Sequence, residues 1–384
     1  MRQRGSVERW AVIAGVMVLP AVTGCGDFFP PINSSGGGSG GGSTLNRVYV
    51  ANQAASSIGA FAIGTGTLAA VNHSPFATSY KPLSMVVTPK NTLLYVGSAT
   101  GIFVYFINSD GSLTAPTTGS QPAGVSAPAL TVSPDGQWLI ALDGTTQQLD
   151  IFQINASTGA LTSVNLPATY TPNPGTWQPS DVRVSPDGTL IFAALGIAGD
   201  AVFTFNTTTG VATGPLILST GNAATGDYGL AVSKTGYLYI ARSGTNGGVA
   251  VFSIGSGGAL TSVTGSPFAA GSGTFSVALD STGTYVYAAN HTDGTISGYT
   301  IVPSTTVLGL SLTPLSGSPY TSGKTVQSIG IDATNKYLLA AAVGGAPDLT
   351  MYSFDVAVPG KLVQATSVAT GVDPAGAVAL ALTH

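Results

Sequence analysis

From residue 45 onward the chain alternates short apolar runs with Gly-rich polar turns, and large and small apolar residues alternate within each run. That is the two-residue period of β-strands, and no part of it carries the 3.6-residue period of a helix. Aligned on their turns, the runs place Tyr49, Tyr95, Ile140, Phe192, Tyr239, Tyr287 and Leu339 in one column, at spacings of 46, 45, 52, 47, 48 and 52. Seven copies of that length, each built from several short strands, predict an all-β fold: a seven-bladed β-propeller of four-stranded antiparallel blades. An outer-membrane barrel shares the alternation and is the runner-up, but a barrel needs no turn recurring at that interval.

Each copy opens with a strand that ends in a turn such as Ser133-Pro134-Asp135-Gly136 or Ser185-Pro186-Asp187-Gly188. Pro pre-sets the first turn position and Gly takes the positive φ, so the Asp residues there read as turn formers rather than catalysts. Before the turn, pairs such as Met85/Val87, Leu130/Val132 and Val182/Val184 form a bulky face opposite mostly small residues. Large against small lets neighbouring sheets pack closely around an axis. The first copy starts at its second strand, Arg47 to Asn52, while Ala377 to Thr383 is an apolar strand without followers. The terminal strand is therefore expected to complete the first blade and shut the ring.

The residues ahead of the repeat follow a different logic. Arg2, Arg4 and Arg9 precede an apolar run from Trp10 to Val22, and Thr23-Gly24 lead to Cys25, the one cysteine. A basic start, an apolar segment broken by Pro20 and small residues form a secretory signal pattern, and small residues before Cys resemble a bacterial lipobox. The expectation is a signal peptide over 1–24, a lipidated Cys25 with a Gly/Ser-rich tether to 44, and a propeller over 45–384. Such a protein is exported and reaches a membrane only through its lipid, at the outer membrane or cell surface/periplasm. An ordinary signal peptide with an incidental Cys, or an uncleaved anchor, are the alternatives.

Composition narrows the chemistry. Charged residues make up 7% of the chain, against roughly 25% in an ordinary soluble domain. Twelve Lys and Arg scattered over the whole length cannot neutralise a run of phosphates, which argues against nucleic acid as a partner. Glu8 is the only glutamate and lies in the signal segment, so acid–base work after cleavage falls to Asp, His, Tyr or Lys.

Val48-Tyr49-Val50-Ala51-Asn52, Tyr287-Ala288-Ala289-Asn290, the Ser-Pro-Asp-Gly turns, Gly159-Ala160-Leu161-Thr162 and Gly265-Ser266-Pro267-Phe268 make residues 45 to 384 resemble lactonase-type seven-bladed propellers and their YVTN-repeat relatives. The resemblance implies the propeller fold and lactonase ancestry. Family enzymes similar to 6-phosphogluconolactonase carry a His at the start of an inner strand, five residues before the turn Ser, with Arg and Glu around the channel. That column reads Leu83, Pro128, Ser180, Tyr228, Phe275 and Gln327 here.

The three histidines, His73, His291 and His384, lie far apart in the repeat, so neither a metal cluster nor a cofactor is expected. Arg183 stands in a column otherwise filled by Val86, Thr131, Ala231, Ala278 and Gly330, with Asp181 on the same strand face. The two form either an ion pair satisfied between blades or a ligand site, and pairing is expected to lower the Asp181 pKa. Trp177, Gln178, Asp227, Tyr228, Arg242, His291 and Lys324 should surround the same mouth, where aromatic and polar groups suit a carbohydrate, lactone or peptide. With no His or Glu matching the family's, the sequence reads as a monomeric propeller that binds or scaffolds through this mouth; the alternative is a divergent hydrolase of sugar lactones.

Overall fold

The computed structural model describes residues 46–117, 122–164, 168–169, 178–218, 224–304, 309–345, 347–371 and 375–384. Their strands form seven antiparallel sheets, each a blade, and in blades two to seven the inner, second, third and outer strands follow in sequence. The inner strands of blades two to seven are Ser84–Val87, Ala129–Val132, Asp181–Val184, Thr225–Val232, Thr274–Leu279 and Val326–Ile331. Blade one takes its inner strand from Ala377–Leu382, which pairs antiparallel with Arg47–Asn52. Each inner strand touches the next, and the terminal one touches those of blades seven and two, so the ring is closed.

The alternation of side chains determines where the core lies. Successive residues of a strand face opposite sides of the sheet, so Tyr49 and Ala51 pack against Met85, Val87 and Leu94 of blade two, while Val48 and Val50 pack against Leu339, Ala341 and Met351 of blade seven. The same division recurs around the ring, and each of seven apolar clusters joins one pair of adjacent blades. The aligned column from Tyr49 to Leu339 sits at the heart of these interfaces, at most 1% exposed. Its tyrosines also bridge polar groups: Tyr49, Tyr95 and Tyr287 donate to the backbone oxygens of Gly111, Gly159 and Gly360 in the outer turn of the following blade. Blades three and seven carry Ile140 and Leu339 in this column, and there the residue two places earlier takes over. Trp138 donates its indole N–H to the Thr207 oxygen at 2.7 Å, and the Tyr337 hydroxyl accepts from the Gly66 N–H.

Turn chemistry matches the sequence expectation. In Ser133–Gly136 the Ser hydroxyl bonds Asp135, Gly136 adopts φ +72, and its N–H returns to the Ser133 carbonyl. Asp280 and Asp332 likewise spend their carboxylates on the backbone N–H groups of Tyr285 and Tyr337. The recurrent Ser-Pro-Phe/Tyr segments, read from sequence only as a family feature, have a definite task. Where the outer strand ends, the hydroxyls of Ser74, Ser266 and Ser318 accept the N–H groups of Ala60, Val251 and Gly298, which would otherwise be left unpaired on the third strand. Two of these segments then add a short fifth strand, Phe76–Ala77 and Tyr320–Thr321, that the sequence did not announce.

Candidate functional site

The loops joining outer to inner strands and those joining second to third strands emerge at one end of the ring. At that end the inner strands of blades five, six and seven share an irregularity. Pairing skips one residue between Asp227 and Gly229, between Thr274 and Ser276, and between Val326 and Ser328. The extra residues are Tyr228, Phe275 and Gln327, and the terminal strand has its own irregularity at the same level, opposite Ala51 and Asn52. A β-bulge re-aims the side chain it carries. These bulges fall on the column where the family's His is expected.

The consequence is an aromatic row. Tyr228 stacks on Phe275 with ring centroids 4.9 Å apart and planes 20° apart, and Phe275 meets the His291 ring at 5.5 Å. Gly229 makes the row possible: a Cβ there would lie 2.7 Å from the Phe275 carbonyl oxygen and 2.8 Å from the Ser276 Cα, so the inner strands of blades five and six meet this closely only around glycine. His291 follows the second strand of blade six and is fixed by its backbone N–H, which donates to Gly273. Its Nδ1 is buried without a hydrogen-bond partner among the described residues. A groove of about 640 Å³ runs beside it, lined by Arg242, Gly271, Ser272, Gly273 and Thr292 among others. Another groove lies at the opposite end, among the Ser185–Thr189 and Ser233–Gly236 turns, away from these residues.

Charge at the mouth is largely neutralised. Arg242 donates from Nε and Nη2 to both oxygens of the fully buried Asp227, at 2.7 and 2.6 Å. Asp200, at the start of the third strand of blade four, is 2% exposed, and neither of its oxygens has a partner among the described residues. Burial first, and the Asp227 charge second, push its pKa well above the ordinary carboxyl value. That shift favours the protonated carboxyl, the form that can donate to Asp227.

Asp181 and Arg183 pair as the sequence indicated, with Nε to Oδ2 at 3.2 Å. The same oxygen accepts the Leu230 N–H of blade five at 2.9 Å, and Oδ1 accepts from Val182. In the equivalent position, the hydroxyls of Ser276 and Ser328 accept the N–H groups of Ile329 and Leu380 from the following blade. Asp181 is thus a variant of an inter-blade clasp. The expected lowering of its pKa is overturned: removal from water outweighs the attraction of Arg183, and the carboxyl is shifted upward.

The remaining expected residues divide. Tyr228 and His291 join the aromatic row, and Arg242 lies at the groove. Gln178 is exposed, and Lys324 lies exposed in the loop before blade seven. Trp177 and Cys25 lie outside the described residues. His384 sits near the Val87 carbonyl and does not reach the mouth. Phe275 and Asp200 were missed as site residues. The signal for Phe275 was present, since it occupies the column examined for a catalytic His, but an aromatic there reads as core until the bulge is seen.

The likeness to lactonase-type propellers holds in comparison with known proteins. Residues 199–374 match the model of the family "Lactonase, 7-bladed beta-propeller", a span that includes Tyr228, Arg242, Phe275 and His291. A candidate 6-phosphogluconolactonase from Bacteroides uniformis is 18% identical, with a TM-score of 0.65 over 85% of this chain and 98% of that one. The periplasmic gluconolactonase PpgL of Pseudomonas aeruginosa is 15% identical, with a TM-score of 0.64 over 88% and 99%. A protein from Lactobacillus plantarum is 16% identical, with a TM-score of 0.68 over 88% and 99%. At these identities the likeness is one of fold. No curated protein matches the chain.

Proposed function

We propose that this protein binds a sugar lactone at the mouth between blades five and six and opens it by hydrolysis. The observation that carries the reading is the row Tyr228–Phe275–His291, which brings an imidazole beside the column where the family's His is expected, on a platform suited to the apolar face of a sugar ring. A water that loses its proton to His291 attacks the lactone carbonyl carbon. The C–O bond of the ring then breaks, and the departing alkoxide recovers the proton from His291, giving a hydroxy acid. Arg242 supplies the nearby cation, because Nη1 stays outside its two bonds to Asp227 and the residue lines the groove.

Assays of the soluble piece from residue 45 against a panel of δ- and γ-sugar lactones, phosphorylated and not, test the reading. Wild type should hydrolyse at least one of them, and His291→Gln should lower kcat/KM by about 100-fold or more. Undiminished turnover by His291→Gln, or no turnover of any lactone by wild type, would sink it.

A second reading, binding without turnover, is favoured by one observation: no hydrogen bond to a carboxylate orients the His291 ring among the described residues, and an unoriented base is a weak one. Saturable lactone binding without acid release would establish that reading. In either case we propose export and lipid attachment at Cys25, supported by the basic start, the apolar run and the small residues before it. A Cys25→Ser protein that stays with the membrane after signal cleavage would refute the anchor.

A further inference from the structure

We infer that the central channel holds a carboxylate-binding site at Arg183, separate from the aromatic row, and that its ligand is the anionic end of an acyclic sugar acid. The link to turnover rests on the lactone reading, because opening a lactone creates such a carboxylate; the site itself does not depend on it.

Arg183 lies mid-strand on the inner strand of blade four, where one edge is paired to the second strand and the other borders the axis. Its side chain is 49% exposed, on a strand whose unpaired edge borders the axis. The equivalent residues of other blades are uncharged and mostly small, among them Ala231, Ala278 and Gly330. They offer no competing anion. Asp181 is the one carboxylate partner of Arg183 among the described residues, and it engages only Nε. Both Asp181 oxygens are already taken by backbone N–H groups, Val182 on one and Leu230 on the other. Nη1 and Nη2 have no hydrogen-bond partner among the described residues and remain as a planar fork.

Such a fork matches the two oxygens of a carboxylate. A phosphate dianion fits less well, since no second cation stands in this ring of residues. Arg183 lies three residues along the strand from Ser180 at the mouth, about 10 Å. An acyclic chain that enters at the mouth can therefore bring its carboxylate to the fork. The lactone itself has no such group, so Arg183 distinguishes the opened acid from the closed ring.

Calorimetric titration of the piece from residue 45 with sodium D-gluconate and with D-glucitol, the same chain length without a carboxylate, tests the site. Wild type should bind gluconate at least about tenfold more tightly than glucitol, a difference of the size expected for one charge-assisted pair. Arg183→Gln should bring gluconate to the level of glucitol. Because that variant strands Asp181, the double variant Asp181→Ser/Arg183→Gln restores the hydroxyl clasp used by blades six and seven, and it should show the same loss. Asp181→Ser alone should keep the preference for gluconate. Equal binding of the two probes by wild type, no binding of gluconate, or an unchanged preference in the double variant would overturn the inference. Failure of the lactone reading would appear elsewhere, as turnover indifferent to His291→Gln with the gluconate preference intact.

Discussion

The buried Arg242–Asp227 pair and the Arg183–Asp181 pair, whose cation is half-exposed, show how little an ion pair's presence says about its weight. Arg242 is 12% exposed and its partner is fully buried, so removing the cation leaves a carboxylate with neither water nor counter-charge. Arg242→Ala is expected to cost about 3–5 kcal/mol of folding stability, whereas Arg183→Gln should cost less, because Asp181 keeps its two backbone donors; urea melts of the two variants make the comparison. Asp150 gives a pH test. Burial, aided by the charge of Asp143, raises its pKa to about 6, against about 3.9 in the unfolded chain. Between those values the folded state binds more protons than the unfolded one. The contribution is therefore complete below about pH 4 and disappears as the pH rises through about 6, a change on the order of 1 kcal/mol after solvent screening. Asp150→Asn should flatten that part of the stability profile; an identical slope in both proteins would count against the assignment. Asp200 shifts in the same direction and adds to the same trend.

At the level of strands and turns, the bulges carry the argument. Gly229→Ala would push a methyl group against the Phe275 carbonyl, separating the inner strands of blades five and six and with them the Tyr228–Phe275 stack. The expected result is ligand binding weakened by at least about tenfold, with a loss of about 1–3 kcal/mol in stability. Normal binding by this variant would show that the close approach is not what builds the site. The strands, the blade count and the shared column were all legible in the sequence, because alternation and turn residues act over a few positions and repeat seven times. Asp135 and Asp187 could be read as turn formers for the same reason. The bulges were not legible. An extra residue in a strand leaves no mark on composition, and only the register between two strands shows that Tyr228 and Phe275 leave the sheet. Asp181 was legible as the partner of Arg183, but its bond from Leu230 was not: that donor is a backbone N–H 49 residues away, which no side-chain pattern encodes.

On the scale of the whole molecule, stability is divided among seven interfaces between blades, and one of them depends on the joining of distant chain segments. Arg47 and Thr383 exchange hydrogen bonds at that joint, Arg47 N–H to the Thr383 hydroxyl at 2.8 Å and Thr383 N–H to the Arg47 carbonyl at 3.1 Å. Ending the chain at Gly376 should uncover the Arg47–Asn52 edge and the apolar faces of blades one and seven. The expected outcome is a loss of several kcal/mol, or a protein that associates through the open edge, read by denaturant melts and by sedimentation. Full stability and monomeric behaviour in the truncated protein would contradict the closure.

The same joint has a meaning in time. The segments it unites are 336 residues apart, so blade one waits, incomplete, while every other blade is synthesised. Pairing over such a separation carries a large loop-closure cost and belongs to slow-folding topologies. The open edge of blade one is thus a hazard of the nascent chain rather than of the finished ring, and the period of risk lasts as long as the ribosome takes to reach Ala377.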